Sequence, residues 1–111
     1  MAKIKRFYEP VPQEVKENVK KYLEKNNLGE LVDVMRHSDH PDDNYLYHVI
    51  AKKPNVNKYF HNGDWNYSMW TCWNEDVQSL NYGHYDLESE EEARELHVKF
   101  FYRISGQNVI D

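Results

Sequence analysis

Asp64–Asn74 reads DWNYSMWTCWN and holds all three tryptophans of the 111-residue chain, Trp65, Trp70 and Trp73. Tyr67 and Met69 lie among them, and Leu80–Leu87 (LNYGHYDL) follows a short polar link. Aromatic residues at this density favour a strand. Trp65–Asn74 therefore reads as one, with Ser68, Trp70 and Cys72 on one face and Tyr67, Met69, Thr71 and Trp73 on the other.

Working outward, Tyr45–Lys52 (YLYHVIAK) is a clear strand of β-branched and aromatic residues. Leu31–His37 reads as a strand before it, with Val32 and Val34 assigned to one face. Lys53–Asp64 is a longer loop, and Glu75–Gln78 a tight connection. Ser79–Leu87 forms a fourth strand that Gly83 weakens. Short links favour an antiparallel meander over a parallel sheet.

Helices flank this block. Val11, Val15, Val19, Tyr22 and Leu23 keep helical spacing after Pro12, which suits a first helical position. Asn26-Asn27-Leu28-Gly29 ends that helix. Ser89-Glu90-Glu91-Glu92 is a capping box, followed at helical spacing by Ala93, Leu96, His97, Phe100, Phe101 and Ile104, with Gly106 as the stop. Lys3–Glu9 is a short strand or an extended arm. The expected fold is one α+β domain spanning residues 1–111, in the order (β)αββββα. It is a two-layer sandwich: a four-stranded, mainly antiparallel sheet covered on one face by both helices.

Two helices on one face leave the other face bare. The aliphatic set Val32, Val34, Leu46 and Ile50, with Trp70 and Cys72, is assigned to the covered core. Tyr45, Tyr47, Tyr67, Met69, Trp73, Tyr82 and His84 then form an uncovered aromatic face. Apolar patches of that size mark interaction sites. The alternative is that loop 53–64 or the N-terminal arm folds over it.

Composition bounds the rest. A net charge of −5 and a 40% hydrophobic fraction are those of a globular protein. The single cysteine forbids an internal disulfide, and no stretch has the length of a membrane span or the pattern of a secretory leader. The expected location is the cytoplasm. Abundant Asn, Lys and Tyr fit the AT-rich genomes of low-GC bacteria and their phages. Residues 74–96 carry eight acidic side chains against Arg94 alone. The helix–strands–helix order resembles double-stranded-RNA-binding domains in outline. Ser89-Glu90-Glu91-Glu92 stands where those domains carry a lysine-rich phosphate clamp, so no nucleic-acid partner is expected.

Three groups could carry chemistry. His37-Ser38-Asp39-His40-Pro41-Asp42-Asp43 gathers imidazoles and carboxylates without the spacing of a zinc or calcium site, and is read as a polar turn. Cys72, shared between tryptophans, is read as a small buried hydrophobe. His84 and Asp86, two apart on one strand face, form a polar pair able to act as acid and base. No catalytic residue, metal or cofactor is assigned. The expected function is a non-enzymatic interaction domain using the aromatic face for a protein partner or a second copy. The alternative is a small-ligand-binding protein or modest enzyme with a Tyr/Trp-lined pocket around His84 and Asp86.

Overall fold

The computed structural model describes residues 7, 9–40, 43–53, 66–81 and 83–106. The apolar stripe of α1 (Gln13–Lys25) buries Val15, Val19 and Leu23. Pro12 stands just before it, as N-cap rather than as first helical residue, and gives no side-chain cap. Asn27, at φ 53°, leads the chain out of the helix. The Leu28 amide donates to Leu23 O at 2.9 Å there. β1 (Glu30–Arg36), β2 (Leu46–Lys52) and β3 (Tyr67–Asn74) follow as an antiparallel meander.

The expected fourth strand is split around Gly83 into β4 (Ser79–Leu80) and β5 (His84–Leu87), both paired with β3. Gly83 has φ 80°, and a Cβ at that position would collide with the Thr71 hydroxyl. Only glycine fits, and its carbonyl accepts from the Thr71 amide at 3.1 Å. α2 (Glu90–Ile104) starts on the expected cap, with Ser89 Oγ accepting from the Glu92 amide at 3.1 Å. The Glu92 carboxylate reaches back to the Glu88 amide at 3.2 Å, one residue earlier than the capping box implied.

The α+β class, the antiparallel sheet with helices packed on it and the element order are as expected. The layering differs. Val15, Val19 and Leu23 of α1 pack with Val34, Tyr47, Val49, Ala51, Trp70 and Trp73. Ala93 of α2 packs with Ile50, Met69 and Leu87, bordered by Leu96 and Phe100. Val49, Ile50 and Ala51 are successive residues of one strand, so their side chains point to alternate faces. The helices therefore cover opposite faces of the sheet, one each.

Two irregularities explain why simple alternation misplaced side chains. On β3, Trp70 pairs with Val49 and Trp73 with Tyr47, so three steps on β3 match two on β2. This bulge turns both tryptophans to the α1 side, where strict alternation had separated them. On β1, Leu31 pairs with Ala51 and Asp33 with Ile50, two steps against one. Leu31 and Val34 consequently join the α1 core while Val32 and Met35 join the α2 core.

Candidate functional site

The two edges of the sheet are treated differently. At β1, Arg36 Nη2 donates to Pro10 O at 3.3 Å and lies 3.7 Å from the Glu9 carboxylate. The chain thus passes round this edge on its way to α1. Phe7 lies on the α2 side, stacked on His97 at 5.4 Å with an interplanar angle of 16°. At the opposite edge β5 pairs with β3 through Tyr67–Leu87, Ser68–Asp86, Met69–Tyr85 and Trp70–His84. Among the described residues no strand pairs with its outer side.

Alternation on this short strand sends its side chains to both faces. Leu87 is buried in the α2 core, whereas Tyr85 on the same face stays 39% exposed, its ring 5.3 Å from that of Phe100. On the α1 face the His84 imidazole lies flat against Trp70, centroids 4.8 Å apart and planes within 12°. Asp86 Oδ1 lies 3.2 Å from His84 Nε2 and 2.7 Å from Lys53 Nζ. Both contacts are to the same oxygen, and the Asp86 side chain is 49% exposed. The edge thus presents an alternating row of base and acid on one face and an aromatic pair on the other.

A second titratable cluster is deeply buried. His48 Nδ1 and His97 Nδ1 are 2.8 Å apart, so one imidazole donates and the other accepts. Burial holds His48 well below its usual pKa, helped by the neighbouring imidazoles. Burial likewise brings His97 down to about 4, with Asp33 opposing and Arg94 reinforcing. His37 packs edge-on to His48 at 5.0 Å. Its pKa is lowered by burial against the pull of Asp43, whose Oδ2 is 3.4 Å from His37 Nδ1 and is also hydrogen-bonded by the Ser38 hydroxyl. His48 Nε2 is buried without a partner among the described residues. A bare nitrogen is cheaper to strand there than an N–H, which favours His48 as donor and His97 as acceptor.

The residues assigned to one uncovered aromatic face are not brought together. Tyr47 and Trp73 lie under α1, at 3% and 0% exposure, and Met69 lies on the α2 side at 0%. The reason is the opposite placement of α1 together with the bulge in β3. Tyr67 is half-buried beside the α2 core, Tyr45 is 38% exposed, and Tyr82 and Trp65 lie outside the described residues. His84 remains at the surface beside Asp86, as their spacing implied. Cys72 is buried, and burial pushes its thiol pKa up, the reverse of an activated nucleophile. Among the described residues no three metal-ligating side chains are placed to hold an ion; His40 Nε2 donates instead to Ile104 O at 3.1 Å.

The sequence did not reveal the Trp70–His84 stack, Lys53 as partner of Asp86, or the His48–His97 pair. The one available signal for the last was two histidines at core-facing positions, His48 beside Ile50 in a strand and His97 in the apolar stripe of α2. No described helix is long and apolar enough to cross a membrane. Neither curated proteins nor solved structures give a match to the chain. Residues 14–91 match the model of a family described as large polyvalent protein associated domain 24.

Proposed function

The chain belongs to the large polyvalent protein associated domain 24 family, and with that premise we propose that it is a small, non-enzymatic, cytoplasmic interaction domain, one folded unit over residues 1–111, whose contact surface is the β5 edge. The family's description, association with large polyvalent proteins, suits a module that works by contact. The observation that carries the choice of surface is the unpaired outer side of β5 among the described residues, with Tyr85 exposed beside it. An open edge offers backbone donors and acceptors to another chain, and an adjacent aromatic ring supplies apolar contact area. Tyr47, Met69 and Trp73 act in this reading as the core that stiffens the edge, and the contact role passes to Tyr85, His84 and Phe100.

A photo-crosslinking side chain at position 85, with Glu17 on the exposed side of α1 as control, tests the reading in producing cells. Discrete protein adducts from position 85 and none from position 17 are the expected result. Equal yields from both positions, or none from either, overturn it.

A second reading has its own support in the 3.2 Å contact between His84 and Asp86 and the stacking of His84 on Trp70. Here the same edge binds a small polar ligand. A thermal-shift screen distinguishes it: a ligand that raises the melting temperature of the wild type but not of His84→Ala favours this reading.

A further inference from the structure

We infer that the occupant of the β5 edge is a second copy of this chain, joined antiparallel across a two-fold axis at Tyr85 so that the two sheets become one. The inference rests on the reading of β5 as the contact surface and adds the partner and the register.

The argument is charge complementarity. On one face β5 carries His84 and Asp86, a base and an acid two residues apart, with the Lys53 ammonium 2.7 Å from the acid. Antiparallel pairing about Tyr85 sets His84 directly opposite Asp86 of the second copy, and Asp86 opposite the second His84. Residues directly opposite in such a pair share a face and sit close enough to interact. Each carboxylate would meet its own strand's imidazole and that of the second copy, and with its side chain 49% exposed Asp86 is accessible to the second one. A row of this kind is complementary to itself after a half-turn, as a two-fold interface requires.

Registers displaced by two residues lose this match. Centring on His84 leaves both imidazoles facing each other, and centring on Asp86 does the same for both carboxylates. Of these registers, only the one centred on Tyr85 pairs each imidazole with a carboxylate.

The other face agrees. In that register the two Tyr85 rings become direct neighbours, each already set against its own Phe100 at 5.3 Å. Four aromatic rings then line up over the joint, covering the tyrosine that the single chain leaves exposed. The strand is only four residues long, so the joint is small and its affinity modest.

Sedimentation velocity on the full chain, at concentrations up to about 0.5 mM, gives the first test. A concentration-dependent dimer is expected, and a monomer throughout overturns the inference. Asp86→Lys and His84→Asp then test the register, with circular dichroism confirming that each variant is folded. Each alone replaces two symmetric attractions by mismatches, and should weaken self-association roughly tenfold. Mixed one to one, the two variants are complementary at both positions and should recover a dimer. Dimerisation of either variant at wild-type strength, or no gain on mixing, rules out the register. If the wild type is a monomer, adducts from position 85 with a different protein preserve the edge as a contact surface and remove only the self-pairing. No adducts at all remove both.

Discussion

The face beneath α1 and the face beneath α2 both bury apolar side chains, the α1 side the larger set, yet they dispose of their polar atoms in opposite ways. Under α1 the polar tips of the large rings reach the rim. Trp73 Nε1 donates to Glu75 Oε1 at 2.8 Å, and the Tyr47 hydroxyl donates to Asn44 O at 2.9 Å while accepting from Arg36 Nη1 at 3.3 Å. Under α2, two imidazoles sit inside the packing and bond to each other. A buried ring whose tip ends at the rim depends first on shape. A buried imidazole pair depends on both nitrogens staying neutral. The two faces should therefore fail under different insults.

The largest difference should come from removing volume under α1. Trp73 is fully buried and meets Tyr22 of α1 edge-on at 5.3 Å. Trp73→Ala should destabilise the chain by about 3–5 kcal/mol, read by urea unfolding at neutral pH. A loss under about 1 kcal/mol would mean that α1 is not seated on this ring.

Acid should single out the α2 face. His97 is held at about 4, below the ordinary 6.5, and His48 is also lowered. Across that window the unfolded chain binds protons that the folded chain refuses. Stability is then complete above the unfolded value and falls as the pH drops toward the folded one. His97 alone contributes a loss of about 3 kcal/mol by pH 4. The other titratable or charged groups around the pair are His37 and Asp43 beyond His48, and Asp33 and Arg94 near His97. Urea unfolding at several pH values on the wild type and on His48→Leu/His97→Leu checks this. The double variant should lose most of the acid sensitivity, and parallel curves would exclude the imidazole pair as its source.

A smaller effect tests the rim of the α1 face. Glu75 holds Trp73 through one oxygen and accepts from Asn18 Nδ2 of α1 through the other, at 2.7 Å. Glu75→Ala strands both donors in part-buried positions and should cost about 1–3 kcal/mol. Glu75→Gln keeps one acceptor and should cost less than Glu75→Ala. Equal losses from the two would show that the contacts are made equally well by water.

What was legible in the sequence follows from these same residues. The strands announced themselves through β-branched and aromatic runs such as Tyr45–Lys52, and α2 through Ser89 and its apolar stripe. Gly83 marked the break between β4 and β5. Which face each helix covers was not legible, because both faces of β2 are apolar: Tyr47, Val49 and Ala51 on one, His48 and Ile50 on the other. Such a strand gives no polar side to exclude a helix. The bulges in β1 and β3 are set by pairing with β2, and a single strand read alone does not show them. At the candidate site, the spacing of His84 and Asp86 was visible in the chain. Their neighbours Trp70 and Lys53 come from other parts of it and become partners only through the register of β3 with β5.

The smallest expected effect concerns how the two helices begin. α2 starts on a side-chain cap from Ser89, whereas α1 starts after Pro12 with none. Ser89→Ala should cost about 1 kcal/mol, since the Glu92 amide loses its acceptor at an exposed site. Pro12→Asp works in the opposite direction. It supplies the missing acceptor, a gain of about 0.5–2 kcal/mol, and adds negative charge at the positive end of the helix. It also frees the unfolded chain from the proline ring, a loss of about 0.4–1 kcal/mol. The net should be a stabilisation of under about 1 kcal/mol, visible as a small rise in the urea midpoint with an unchanged slope. A clear destabilisation would mean that the rigid Pro12 turn, carrying the chain from the β1 edge onto its face, matters more to α1 than any cap. The α1 side would then depend on chain direction as well as on shape.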